Sequence, residues 1–284
     1  MTSVSGTSPR ADAQAPRADW PAVARASLVA VTAVVALGLV YVVFVLVPLG
    51  QRVDDAAAEH VADGAASREG VADWLRGVTV GVIAVILLGC VAVAIARRRG
   101  TLGLLGVGLV VGSVLTTEVL KHWVLVRPHL GHGWANSMPS GHATVVTSLA
   151  LATLLVAPRA WRGLVSLCAA VAVAVAGVGT IVADWHRPSD VIAAYAVCLA
   201  WGSLSLALVS MRPHGRSTGG AARAHPLALL TGLALAAAAF LEVGVRPNGT
   251  ARDLAIHVVI MCGVAIAGAA VVGVFTRMAN ARTA

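Results

Sequence analysis

The chain has 284 residues, of which 58% are hydrophobic and only 12% are charged, and its mean hydropathy is +0.85. Soluble globular domains carry about 25% charged residues, so this composition excludes an ordinary soluble domain and indicates a membrane protein. The formal net charge of +8 does not indicate a nucleic-acid partner. The basic residues lie mostly in short segments between apolar runs, where membrane proteins carry their topology signals.

Residues 1–26 are polar at first and rich in Ala, Ser, Pro and Arg, and they predict a disordered cytoplasmic tail. A membrane-spanning helix needs about 20 mainly apolar residues, and eight runs reach or approach this length. They are 27–49, 75–96, 101–120, 142–157, 163–183, 189–211, 226–243 and 254–276. The runs predict an all-α fold, a polytopic membrane helical bundle. No clear cleavage site follows the first run, so we expect a retained anchor rather than a signal peptide.

The basic residues predict the orientation of the bundle. With the N-terminus inside, the cytoplasmic segments hold 13 of the 21 Lys and Arg residues. The first outer segment holds the carboxylates Asp54, Asp55, Glu59, Asp63, Glu69 and Asp73. Basic residues concentrate on the cytoplasmic side of membrane proteins, so we predict a multi-pass cell-membrane protein with both termini cytoplasmic. Segments 121–141 and 184–188 then share the extracytoplasmic face.

The stretch Pro139-Ser140-Gly141-His142 comes directly before the fourth apolar run. Ser is a favourable N-cap residue, and Gly allows another group to approach the backbone closely. The free N–H groups of a first helical turn form an anion site, so a phosphate would fit there beside His142. An ordinary helix cap after a loop explains the same four residues.

A second cluster is His186-Arg187-Pro188-Ser189-Asp190. The i, i+4 spacing brings His186 and Asp190 together on a helix. A carboxylate that accepts from one imidazole nitrogen leaves the other nucleophilic. A plain His–Asp pair at the membrane interface is the alternative reading.

Lys121 and Arg127 supply cations between the third and fourth runs. Lys121 is the single lysine of the chain, and the other 20 basic residues are arginine. The planar guanidinium of Arg127 matches a pair of phosphate oxygens. Interfacial snorkelling accounts equally for either side chain. Together, two histidines, a carboxylate, two cations and a helix N-terminus on one face are the groups that phosphoryl transfer to a histidine requires.

The order and spacing of these clusters resemble the phosphatidic acid phosphatase type 2 superfamily, which is related to the vanadium haloperoxidases. Its signature is Lys-x6-Arg-Pro, then Pro-Ser-Gly-His, then Ser-Arg-x5-His-x3-Asp. The resemblance covers about residues 115–200. It implies a six-helix phosphatase core over 27–211, and we expect a cytoplasmic linker at 212–225 and two further transmembrane helices with a short tail in 226–284.

The resemblance also implies roles for individual residues. His186 is expected to be the nucleophile that becomes phosphorylated, with Asp190 as its orienting partner, and His142 is expected to protonate the leaving group. The residues expected to hold the phosphate oxygens are Lys121, Arg127, Ser140 and Gly141. The family needs no metal, so no metal or other cofactor is implied.

Two features depart from the family pattern. Five residues separate Lys121 from Arg127 where the signature has six. This rotates Lys121 by about 100° on an α-helix, although an unwound helix end would absorb the difference. The Ser-Arg of the third motif falls on Gly179 and Thr180, so one phosphate-binding arginine is absent. Arg187 is the candidate replacement. Losing one charge-assisted contact costs about 1.5–3 kcal/mol, which fits a slower enzyme or a different substrate.

The sequence therefore predicts an integral membrane lipid phosphatase that removes a phosphomonoester or pyrophosphate at the extracytoplasmic face. Its expected partners are the bilayer and a phosphorylated lipid, such as a phosphatidic acid-like lipid or a polyprenyl phosphate or pyrophosphate. The Ala- and Arg-rich composition favours a bacterial cell-envelope protein.

Two alternatives remain at this point. A haloperoxidase that binds vanadate would use the same pocket, although those relatives are typically soluble. A non-catalytic protein that binds or transports a phosphorylated lipid would be consistent with the missing arginine at Thr180.

Overall fold

The computed structural model describes residues 18–63, 68–77, 80–128, 136–212, 232 and 251–282. Within these ranges the chain forms nine α-helices and no strand. The helices are α1 (Trp20–Tyr41), α2 (Pro48–Asp63), α3 (Arg68–Arg76), α4 (Val80–Ala96), α5 (Gly100–Val119), α6 (Gly141–Val156), α7 (Arg162–Val182), α8 (Pro188–Ser210) and α9 (Ala251–Arg282). Short π-helical turns extend α1 over Val42–Leu46 and α5 over Leu120–Val124.

In the described part of the chain, five helical segments are long and apolar enough to cross a membrane: Trp20–Leu46, Gly100–Val124, Arg159–Val182, Pro188–Ser210 and Ala255–Ala281. The shorter apolar helices Ile83–Ala96 and Gly141–Val156 fall on two more of the predicted runs. The predicted all-α, polytopic bundle is confirmed. The predicted run 226–243 lies outside the described residues except for Gly232.

The outer surface of the bundle is apolar. Leu28, Val31 and Leu39 of α1 are all more than half exposed. Contiguous exposed apolar surface on this scale is expected of a protein whose solvent is lipid. These helices indicate a membrane protein.

The first helix begins at Trp20, seven residues before the predicted apolar run. The side chain of Asp19 accepts a hydrogen bond from the Ala22 N–H at 3.0 Å, and Pro21 occupies the first turn. An Asp cap followed by Pro starts a helix irrespective of hydropathy. The disordered tail predicted for 1–26 is therefore wrong for residues 20–26, and its first 17 residues lie outside the described part of the chain.

Helices α2 and α3 occupy the acidic segment predicted to lie outside the membrane. α2 buries Asp54 and Asp55. α3 buries Val71 and Leu75, and both lie against Gly179 of α7. Both helices are amphipathic, but their many charged residues lower the mean hydropathy. A search for apolar runs therefore does not detect them.

Helix α8 is central to the bundle, where it contacts α1, α5, α6 and α9. One end of the bundle is rich in arginine. There Arg97, which follows α4, donates to the Val156 carbonyl of α6 at 2.8 Å, and Arg162 donates to the Ala279 carbonyl of α9 at 3.1 Å. The end of α5 and the starts of α6 and α8 lie at the opposite end, and these carry the predicted site residues.

Helices α7 and α8 approach closely at Gly177. The buried hydroxyl of Tyr195 donates to the Val173 carbonyl at 2.9 Å, and a Cβ added to Gly177 would lie 2.1 Å from that hydroxyl oxygen. Small residues allow this kind of contact between membrane helices.

Replacing Gly177 by Ala is expected to lower the free energy of unfolding, because the new methyl group displaces Tyr195 from its hydrogen bond. Overpacking of this kind costs about 1–3 kcal/mol. Thermal unfolding in detergent measures the effect. The control is Gly108→Ala in α5, where an added Cβ meets nothing within 4 Å. Equal melting temperatures for the two variants would contradict this packing.

Candidate active site

A backbone hydrogen bond links the start of α6 to the start of α8. Ser140 is fully buried as the N-cap of α6, and its side chain accepts from the Ala143 N–H at 3.4 Å. Its own backbone N–H donates to the Asp190 carbonyl at 2.9 Å. The Pro-Ser-Gly-His stretch and the His186–Asp190 pair are therefore held as one unit.

Asp190 orients His186. The Nδ1 atom of His186 lies 3.3 Å from Oδ2 of Asp190. The same oxygen accepts from the Ser137 hydroxyl at 2.5 Å and from the Arg187 N–H at 3.0 Å. Three contacts fix a fully buried carboxylate, which in turn fixes the orientation of the imidazole.

The loop that carries His186 is held from α7. The Thr180 carbonyl accepts from the Trp185 N–H at 3.0 Å and from the His186 N–H at 3.2 Å. Asp184 turns the chain with φ of 59°, a left-handed conformation that Asp tolerates, and its carboxylate binds Arg68 of α3. Thr180 therefore supports the loop through its backbone, although it lacks the guanidinium that the family pattern has at this position.

A cavity of about 530 Å³ opens beside His186. Four predicted site residues line it: Lys121, Gly141, His142 and His186. Trp185 forms part of the wall, with its ring centroid 5.2 Å from that of His142. A second part of the wall is apolar and consists of Ile83, Val114 and Val145.

Lys121 reaches this cavity from the π-helical turn at the end of α5. A π turn contains more residues than an α turn, so it changes the direction in which following side chains point. This irregular turn lies at the position where the spacing to Arg127 departs from the family pattern. The Nζ atom of Lys121 lies 3.9 Å from the place of a Cβ on Gly141, so the ammonium group stands at the N-terminus of α6.

Arg127 and Arg187 do not line this cavity. Together with Asp54 and Asp55 of α2 they form a buried group that we call the ionic cluster. Arg187 Nε binds Asp55 Oδ1, and Arg187 Nη1 donates to the Ser137 hydroxyl at 3.0 Å. Arg127 lies 3.5 Å from Asp54 and 3.6 Å from Asp55. Contact of either guanidinium with a substrate phosphate stays a prediction.

Burial governs the charges in the ionic cluster. It raises the pKa of Asp54 from the ordinary 3.8 to about 7, against the opposing effect of hydrogen bonds from Ser189. The pKa of Arg127 is lowered, first by burial and then by the positive charge of Arg187. Burial penalises the charged form of each group.

Sequence reasoning missed four residues of this region: Asp54, Asp55, Ser137 and Trp185. The two carboxylates were interpreted as topology signals, and Ser137 lies next to the recognised Pro-Ser-Gly-His stretch without being singled out. Trp185 lies in the cavity wall, although a tryptophan near a membrane surface is usually part of the interfacial aromatic belt. Trp123, in contrast, is 84% exposed and does not line the cavity.

Residues 101–213 match the family model of the PAP2 superfamily. This segment belongs to the PAP2 superfamily. Members of this superfamily are generally phosphatases. None of the curated proteins and none of the solved structures matches the chain. The matched PAP2 segment contains every predicted site residue, whereas α2, with Asp54 and Asp55, lies outside it.

The raised pKa of Asp54 predicts a pH-dependent stability. Because the folded state binds this proton more tightly than the unfolded state, the contribution of Asp54 to stability is full below about pH 4. It is lost as the pH rises through about 7. Asp54→Asn stays neutral and is expected to flatten this part of the curve.

Thermal unfolding of both proteins between pH 4 and pH 8, in the same detergent, measures the difference. Other titrating groups are common to the two proteins, so the difference isolates Asp54. Parallel curves would contradict a proton on Asp54 in the folded state.

Proposed function

We propose that the chain is an integral membrane lipid phosphatase that hydrolyses a phosphomonoester or pyrophosphate of a lipid through a phosphohistidine on His186. One observation carries the proposal. His186, His142, Lys121 and the N-terminus of α6 meet at one cavity, and a buried carboxylate holds His186 from behind.

The reaction has two steps. His186 donates its Nδ1–H to Asp190, and its Nε2 lone pair attacks phosphorus while the bond to the leaving oxygen breaks. His142 gives a proton to that oxygen, so the lipid leaves as an alcohol or as the shorter phosphate. His142 then accepts a proton from water as the water attacks the phosphohistidine, which releases inorganic phosphate and restores both histidines.

The negative charge of the transferring group is stabilised at the front of the cavity. The Lys121 ammonium stands beside the first turn of α6, and the N–H groups of Gly141 and His142 belong to that turn. A helix N-terminus and a cation together favour a bound phosphate. The Ser140 side chain caps the same helix, so its expected contribution comes through the backbone turn that it fixes.

The shape of the cavity favours a lipid substrate. Its apolar wall, from Ile83, Val114 and Val145, lies on three membrane helices, next to the polar groups. A lipid tail can therefore stay in an apolar environment while its phosphate reacts. The usual charge bias favours the arginine-rich end of the bundle as the cytoplasmic side, and this supports an extracytoplasmic position for the cavity.

A second candidate function is binding or transport of a phosphorylated lipid without turnover. Two observations favour it: the absence of an arginine at Thr180 and the pairing of both nearby guanidiniums with α2 carboxylates. Hydrolysis remains the better proposal, because a binding site needs neither a carboxylate-oriented histidine nor a second histidine beside it.

The first test is phosphate release by the purified protein in detergent with a chelator present. The substrates are phosphatidic acid, phosphatidylglycerol phosphate, a polyprenyl pyrophosphate and a polyprenyl-linked sugar phosphate. We expect release from at least one of them and none from His186→Ala. His122→Ala is the matched control, since His122 is exposed and does not line the cavity. Binding without turnover, unchanged in His186→Ala, would instead support the transport function.

The role of His142 as general acid predicts a dependence on the leaving group. His142→Ala is expected to slow hydrolysis of a lipid phosphate by about 10²- to 10⁴-fold, because an alkoxide needs a proton to leave. The same variant should lose much less activity toward p-nitrophenyl phosphate, whose phenolate leaves unprotonated. Single-turnover rates of His186 phosphorylation with both substrates measure this. Equal losses would rule out proton donation by His142.

A further inference from the structure

An unbroken series of contacts runs from His186 to helix α2. His186 contacts Asp190, and Asp190 accepts from the Ser137 hydroxyl at 2.5 Å. The Ser137 oxygen accepts from Arg187 Nη1 at 3.0 Å, and Arg187 Nε donates to Asp55. Asp55, the last residue in this series, lies outside the matched PAP2 segment and 131 residues before His186.

Asp55 is placed between two like charges. Its Oδ1 atom binds Arg187 and lies 3.6 Å from Nη1 of Arg127. Both guanidinium side chains are only 4% exposed. Two buried cations repel each other strongly unless a nearby anion balances them.

The other groups around Asp55 do not replace it. Asp54 faces Arg127 and binds the backbone N–H and hydroxyl of Ser189, and burial favours its protonated form. Asp190 is already engaged by His186, Ser137 and the Arg187 backbone. Asp55 is therefore the carboxylate that faces both arginines, while Asp190 keeps its contacts with His186 and Ser137.

We propose that Asp55 is a positioning residue for phosphoryl transfer, which acts on His186 through Arg187, Ser137 and Asp190. This inference rests on the proposed phosphatase function. Asp55 does not line the cavity beside His186. It holds the Arg187 side chain in the direction that supports Ser137, and Ser137 in turn holds the carboxylate that orients the nucleophile.

Asp55→Asn keeps the shape of the side chain and removes its charge. The excess positive charge then attracts Asp190 and weakens its hold on His186, so we expect kcat to fall about tenfold or more. The same charge disfavours protonation of the nucleophile. The acid limb of the kcat/KM profile should therefore move to lower pH by about one unit.

The experiment measures kcat/KM against pH for the wild type, Asp55→Asn, Asp55→Glu and Glu69→Gln on one lipid phosphate. Ionisation of the substrate is common to all four proteins and cancels. Asp55→Glu restores the charge and is expected to bring back the acid limb and most of kcat. Glu69→Gln removes one exposed carboxylate from α3 and is expected to match the wild type.

Ser137→Ala tests the link if Asp55→Asn does not fold, as judged by thermal unfolding in detergent. It removes one donor to Asp190 without changing the charge, so kcat should fall while the acid limb stays in place. An unchanged kcat in Ser137→Ala overturns the proposal, and so does an unshifted acid limb in folded Asp55→Asn. No phosphate release by the wild type would instead overturn the proposed phosphatase function itself.

Discussion

The arrangement of the candidate active site depends on one buried carboxylate, that of Asp190, and on the groups that contact it. Asp190 is inaccessible to solvent, and its Oδ2 atom takes contacts from His186, Ser137 and the Arg187 backbone. Its carbonyl accepts from the N–H of Ser140. Burying a carboxylate is costly unless it is hydrogen-bonded, so these contacts must form together. One residue thereby fixes the helix N-terminus, the histidine and the ionic cluster relative to each other.

The positive charges around the cavity form two groups in different places. Lys121 and the first turn of α6 face the cavity, where charge is available to an anion. Arg127 and Arg187 lie behind the histidine, where both face Asp55 of α2. The absence of an arginine at Thr180 is easier to understand in this arrangement. Thr180 is fully buried, its hydroxyl donates to the Gly177 carbonyl at 2.8 Å, and its own carbonyl supports the histidine loop.

Much of this architecture could be predicted from the sequence. Hydropathy located the described spanning helices because each run is long and nearly free of charge. The pairing of His186 with Asp190 could be predicted from their spacing, although His186 precedes α8 and meets Asp190 across the N-cap of that helix. The partners of Arg127 and Arg187 could not be predicted, because Asp55 is distant in sequence and its helix is rich in charge. A carboxylate in such a segment is normally solvated, and only the tertiary packing of α2 shows that it is buried. The position of Trp185 was missed for a similar reason, since an aromatic residue near a membrane surface is usually part of the interfacial belt.

The contacts of α2 affect which part of this chain can fold independently. The recognisable segment 101–213 contains both arginines and none of the α2 carboxylates that balance them. Cut out alone, it would leave both guanidinium groups without their α2 partner, Asp55. The boundaries of recognisable sequence similarity and of autonomous folding therefore do not coincide. A chimera that exchanges this segment between relatives would have to bring along the acidic helix that accompanies it.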